Sequence, residues 1–235
     1  VEEALAHAQK SVALDVANAD GWLNAGNAHL ALKQHGDALA CYGRAIEISP
    51  SSADAWMNRG NVHADLKQSE DALADYQRAL VLNPRNAELH NNLGNVLGTL
   101  KRFDQALASF DDALKLNPNY AGAYEHRGDL HLATGSHAAA RYDYEQALRR
   151  DPMSSVCRLK HWIACIPAIP ANHGEAAASR HRFAAEGASL LEWIESHAIA
   201  DGHRAVGLAQ PFYMAYQEED NRALLQTYGA VCAAL

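Results

Sequence analysis

Small, aromatic and proline positions recur along residues 19–154 with a spacing of 34. Gly26, Gly60, Gly94 and Gly128 form one column. Ala38, Ala72, Ala106 and Ala140 form a second, and Ala45, Ala79, Ala113 and Ala147 a third. Large rings occupy Tyr42, Tyr76, Phe110 and Tyr144, and each unit ends near Pro50, Pro84, Pro118 or Pro152. A fixed period of this length marks a solenoid of helix pairs, each packing on its neighbours. The pattern predicts helix, tight turn and helix in each unit. The proline then stops the second helix, because it cannot continue the hydrogen-bond ladder and disfavours α geometry in the residue before it. The complete units are 19–52, 53–86, 87–120 and 121–154, and residues 1–18 supply only a second helix. A glycine inside a helix costs about 1 kcal/mol relative to alanine. Its return in every unit implies a backbone approach that a side chain would block, with the aromatic rings filling the space.

After Pro152 the period fails. Residues 154–166 fit one more first helix, with Val156, Leu159, Trp162 and Ile163 on its apolar face, and Ile166-Pro167-Ala168-Ile169-Pro170 breaks it. A long helix over 173–197 follows, then a loop from Asp201 and an amphipathic helix from Asn221 to Leu235. Terminal units of solenoids depart from the repeat, so 1–154 reads as the array and 155–235 as a helical capping or connecting region.

Alanine dominates a composition that is 49% apolar, which favours helix throughout. The net charge of −8 argues against nucleic acid or an anionic membrane as the main partner. Cys41, Cys157, Cys165 and Cys232 are scattered without metal-ligand spacing, so they read as reduced packing thiols of a cytoplasmic protein. No metal site, cofactor loop or nucleophile–base pair is evident, and the chain by itself reads as non-catalytic. It opens inside a helical pattern, as a piece of something longer would, and apolar surface at the truncated first unit allows a homodimer.

Large aromatic, Gly, Ala, aromatic, Ala and Pro at these offsets resemble the tetratricopeptide repeat (TPR) over residues 1–154. The resemblance implies an all-α, right-handed superhelix of antiparallel helix pairs whose first helices line a concave groove. Two departures stand out. His90 replaces the aromatic of Trp22, Trp56 and Tyr124, and His29, His63 and His131 replace the usual first-helix tyrosine, reading as packed imidazoles. The residues opposite the Gly/Ala face point inward. They give two columns: Asn24, Asn58, Asn92 and His126, then Asn27, Asn61, Asn95 and Asp129. Asparagine is a mediocre helix former, so each column needs a reason. The second column reads equally well as a bridge between helices or as ligand contact. The first reads as a ladder of amides that pairs with the backbone of an extended peptide. A clamp for a peptide's terminal carboxylate needs inward cations, but Leu23, Met57, Asn91 and Glu125 stand there. Asp20, Asp54 and Glu88 at the edge favour a neutral or basic partner.

Pro211-Phe212-Tyr213-Met214-Ala215-Tyr216-Gln217, then Asp220-Asn221-Arg222, is similar to the segment joining repeats to catalysis in bacterial O-linked N-acetylglucosamine transferase-like (SPINDLY-type) proteins. The Ile166–Pro170 stretch and the Arg180, Arg182 and Phe183 helix resemble the same region. That resemblance implies a substrate-recruiting arm whose catalytic domain lies beyond Leu235. The alternative is a stand-alone adaptor that scaffolds a complex.

Overall fold

In a computed structural model the chain is described over residues 2–165, 173–197 and 222–234. Every regular element among the described residues is a helix. In chain order they are α1 (Glu2–Leu14), α2 (Ala19–Ala31), α3 (His35–Ile48), α4 (Ala53–Asp65), α5 (Ser69–Leu82), α6 (Ala87–Thr99), α7 (Phe103–Leu116), α8 (Ala121–Ala133), α9 (His137–Arg150), α10 (Ser155–Ile163), α11 (His173–Ser196) and α12 (Arg222–Ala234). The helix pairs therefore start and stop with the 34-residue period of the sequence. They fall into two compact units, residues 1–118 and 119–235.

In the first unit α1 packs on α2, and the pairs α2/α3, α4/α5 and α6/α7 follow, each second helix also touching the next first helix where one follows in the unit. The glycine column does what its recurrence implied. A Cβ on Gly26 would lie 2.5 Å from a Tyr42 ring carbon, on Gly60 2.7 Å from Tyr76, and on Gly94 2.6 Å from Phe110. Those rings are buried, as are Ala38, Ala72, Ala106, Ala45, Ala79 and Ala113. Local signals fix the ends. The side chains of Asn18, Ser52 and Asn86 cap α2, α4 and α6 by accepting from the N–H of Gly21, Ala55 and Leu89. Between paired helices the chain turns through a left-handed residue at Lys33 (φ 58°), Lys67 (φ 61°) and Lys101 (φ 59°).

The fourth-position aromatics hold the bends between units. Trp22 Nε1 donates to the Val16 carbonyl and Trp56 Nε1 to that of Pro50, both at 3.0 Å. His90 Nε2 donates to the Pro84 carbonyl at 2.9 Å, so the substitution keeps the bond and changes only the ring.

In the second unit α8 pairs with α9, where a Cβ on Gly128 would lie 2.8 Å from a Tyr144 ring carbon, and the equivalent turn uses Gly135 (φ 78°). The expected further first helix over 154–166 is α10, and it keeps the geometry of the repeat although the period of residue types fails after Pro152. Ser154 caps α10 through the Cys157 N–H, as Ser52 caps α4. Arg158 stands one period on from the aromatic column and donates from Nε and Nη2 to the Pro152 carbonyl, at 3.2 and 2.7 Å. Trp162 stands in the glycine column. The residue types changed while the places did not, which is why the repeat was invisible by type.

A ring where the glycine belongs leaves no room for an ordinary second helix. α11 meets Trp162 instead with its own Gly187, where a Cβ would lie 2.8 Å from Trp162 Cζ2. The indole stacks on Phe183 at 4.3 Å and donates to the Phe183 carbonyl at 2.7 Å. Leu159, Cys165, Leu190, Ile194 and Val231 complete this core, so α10, α11 and α12 form one body. Phe183 is thus a core residue, and the expected helix over 173–197 is α11. α10 also packs on α9. Among the described residues no helix is long and apolar enough to cross a membrane.

Candidate functional site

The inward face of each first helix is set by helical spacing. On α2 it comprises Asp20, Asn24, Asn27 and Ala31, which line a recess of about 580 Å³ together with α1. A second recess of about 470 Å³ lies along α4, α5 and α6, lined by Asn61, Asp65, Tyr76, Asn92, Asn95 and Thr99. Both asparagine columns of the first unit therefore reach one face.

Their hydrogen bonds divide the labour between them. Asn27 Oδ1 accepts from the Tyr42 hydroxyl at 2.8 Å and from Asn58 Nδ2 at 2.9 Å. One unit on, Asn61 Oδ1 accepts from the Tyr76 hydroxyl at 2.7 Å and from Asn92 Nδ2 at 3.1 Å. Asn58 and Asn92 thus tie each first helix to the one before it, and Asn92 Oδ1 also accepts from Asn91 Nδ2 at 3.2 Å. Asn58 and Asn92, from the column expected to contact ligand, serve as staples between repeats. Asn27 and Asn61, from the column that read equally well as bridge or ligand contact, are anchored through their oxygens, and their amide hydrogens meet no acceptor among the described residues. Asn24 is exposed and carries no such bond within the described residues. Asn95 lines the second recess.

The second unit builds the same staple from charge. Asp129 Oδ1 accepts from the Tyr144 hydroxyl at 2.9 Å, and its Oδ2 accepts from Lys160 Nζ at 2.8 Å. Lys160, one period on from His126, also donates to Glu125 Oε1 at 2.7 Å. Burial alone would lower the Lys160 pKa, but the carboxylates of Asp129 and Glu125 outweigh it and raise it. His126 beside them is held below the usual histidine range by burial. His126 and Asp129 therefore sit in a charged cluster closed by Lys160, a residue the sequence did not single out.

Sequence reasoning also missed two buried charge pairs. Arg59 grips Asp75 with two bonds, at 2.8 and 2.7 Å, and Arg127 grips Asp143 likewise, at 2.9 and 2.6 Å. His63 Nε2 and His131 Nε2 each lie 3.8 Å from the same aspartates. His29 and His63 bond through Nδ1 to Gln34 and Gln68 at 2.7 Å. All three imidazoles are half-buried, and those of His29 and His63 are hydrogen-bonded. The signal was available: Arg and Asp recur two periods apart, while the intervening unit holds Leu93 and Ser109.

No group of three or more His, Cys, Asp or Glu suited to a metal occurs among the described residues. Cys41, Cys157 and Cys165 are buried, and burial pushes the latter two thiols up to about 12, far from reactivity at neutral pH. The motif residues Pro211–Asn221 and the Ile166–Pro170 stretch lie outside the described residues.

Paired helices repeating with capped ends and glycine-seated rings define a helical-repeat protein with an open lateral face. The chain belongs to the tetratricopeptide repeat family: two models, described as TPR repeat and tetratricopeptide repeat, match residues 26–67 and 60–101 and residues 91–155. Repeats of this family are protein–protein interaction modules. Among solved structures the chain is similar to MamA, at 17% identity and TM-score 0.64, covering 77% of this chain and 96% of that one. It is similar to YrrB, a TPR protein with an unusual peptide-binding site, at 22% identity and TM-score 0.63, covering 81% and 98%. PilF of Pseudomonas aeruginosa matches at 22% identity and TM-score 0.60, covering 92% and 98%. At these identities the likeness is one of fold. No curated protein matches the chain significantly.

Proposed function

We propose that the chain binds an extended protein segment along the inward face of α2, α4 and α6. The observation that carries this reading is the anchoring of Asn27 and Asn61. Each oxygen is saturated by a tyrosine hydroxyl and, from the next first helix, an asparagine amide, so each side chain is held in place. Their amide hydrogens remain in the two recesses as fixed donors for peptide carbonyls, which bind backbone without reading side chains. Exposed Asp20, Asp54 and Glu88 flank the face and favour a neutral or basic partner. A peptide-binding site on the similarly folded YrrB is in keeping with this reading.

The test is a peptide library selected on the protein, followed by affinity measurements on two paired variants. Asn27→Ala with Asn61→Ala is expected to weaken the selected peptides by about tenfold or more, the loss of two net hydrogen bonds. Tyr42→Phe with Tyr76→Phe removes only the hydroxyl bonds to the same oxygens and keeps the amides and their bonds from Asn58 and Asn92, so it lowers stability and weakens binding less than the asparagine variant does. Equal affinity in the asparagine variant would remove the groove reading.

A second reading, favoured by the Pro211–Gln217 string, makes this groove the recruiting arm of an O-GlcNAc transferase-like enzyme. A parent reading frame that continues past Leu235 into an α/β domain supports it, and a stop codon there ends it.

A further inference from the structure

A second cleft, of about 130 Å³, lies between α9, α10 and α11 in the second unit, and the peptide reading makes no use of it. Leu148, Trp162 and Leu190 wall it, and Arg158, His161, Glu186 and Ser189 supply its polar groups. Arg158 and His161 stand three residues apart on α10 and so share one face.

Their partners leave a defined pair of groups unspent. Arg158 gives Nε and Nη2 to the Pro152 carbonyl and lies 4.3 Å over the Trp193 ring. Among the described residues its contacts are thus a carbonyl and a ring, neither of which carries a negative charge, and Nη1 has no acceptor. Glu186 is spent differently. Arg141 Nη2 holds its Oε1 at 2.8 Å, and His161 Nδ1 lies 3.0 Å from its Oε2. That second contact fixes the imidazole and leaves Nε2 without a partner among the described residues. Glu186 from α11 faces His161, and Arg141 from α9 and Cys165 just beyond α10 act on the same carboxylate, with Arg182 near Cys165. The Arg141–Glu186 pair cancels, so of the residues lining the cleft Arg158 carries the uncompensated charge.

We propose that this cleft is a subsite for a single carboxylate, received between Arg158 Nη1 and His161 Nε2 with the Ser189 hydroxyl beside them. The volume admits a carboxylate and its adjacent methylene. Glu186 at the wall disfavours a doubly charged group such as phosphate.

The test follows the imidazole Cε1–H resonance of His161, assigned by its loss in His161→Gln, in the whole chain. Sodium acetate, sodium phosphate and sodium chloride are titrated at matched ionic strength. Acetate is expected to shift the resonance saturably and to raise the His161 titration midpoint, because a nearby anion favours imidazolium. Arg158→Gln is expected to weaken acetate by about tenfold. Ser189→Glu, at an exposed position on the rim, places a tethered carboxylate in the cleft, blocks acetate and raises the midpoint unaided. The proposal is overturned if acetate does no more than chloride, if phosphate binds as tightly, or if Ser189→Glu leaves acetate binding and the midpoint as they were.

Discussion

The four complete repeats and the last helices solve one packing problem in opposite senses. In each repeat the glycine lies on the first helix and the ring on the second. At α10 and α11 the ring, Trp162, is on the first helix and the glycine, Gly187, on the second. Either order seats a large side chain against bare backbone at about the same distance. They differ in consequence. The forward order leaves each pair ready to receive the next, whereas the reversed order draws Phe183, Leu190 and Val231 over the indole and builds a closed core. An array therefore ends by exchanging the two halves of its own contact, and no separate capping device is required.

That contrast breaks most sharply at Trp162. Trp162→Ala removes a side chain that is fully buried, stacked on Phe183 and hydrogen-bonded to its carbonyl. Truncations of this kind cost about 3–5 kcal/mol. The loss is expected to be local: amide exchange protection falls across α10, α11 and α12 and persists in α2 to α7, whose core shares no residue with this one. Protection falling equally in both regions would show that the terminal core is not a separate cooperative body.

A smaller effect separates one repeat from the next. Asp75 is buried, with Arg59 gripping it by two bonds, while the unit that follows fills the same two places with Ser109 and Leu93. Removing one partner of a buried pair strands the other, at a cost of about 3–5 kcal/mol. Arg59 retains 26% of its side-chain exposure, so the lower part of that range applies. Asp75→Ser is thus expected to lower stability by about 3 kcal/mol in urea unfolding. Combining it with Arg59→Leu should recover most of the loss, because the pair then copies the neighbouring unit. A double variant as unstable as the single one would mean that the charge pair contributes net stability.

How far the sequence was legible follows the kind of constraint at each place. Columns fixed by steric exclusion, such as Gly26 to Gly128, tolerate one residue type and could be read directly. Places fixed by a hydrogen bond tolerate several. Trp22, Trp56, His90 and Arg158 all reach a carbonyl six residues back, and Asn58, Asn92 and Lys160 all reach the preceding first helix. Reading by residue type placed a further first helix over 154–166 but lost its period after Pro152, which reading by donor keeps through Arg158 and Lys160. The groove shows the same limit. Recurrence identified two asparagine columns, but which of them keeps free hydrogens depends on where Tyr42 and Tyr76 place their hydroxyls.

The turns offer the finest comparison. Lys33, Lys67 and Lys101 adopt φ near 60°, where a Cβ crowds the carbonyl, and Gly135 takes the equivalent place in the last complete unit without that penalty. Left-handed geometry costs an L-residue about 1–2 kcal/mol, while glycine gives back part of the difference through its freer unfolded chain. Lys67→Gly is therefore expected to stabilise the chain by about 0.5–1 kcal/mol, and Gly135→Ala to destabilise it by a similar amount. Both are read from urea midpoints at unchanged slope. Since Lys67 also carries a charge at the rim of the second recess, Lys67→Gln serves as the control that removes the charge and keeps the Cβ. If Lys67→Gln stabilises as much as Lys67→Gly, the gain comes from charge and the turns of the two units are energetically alike.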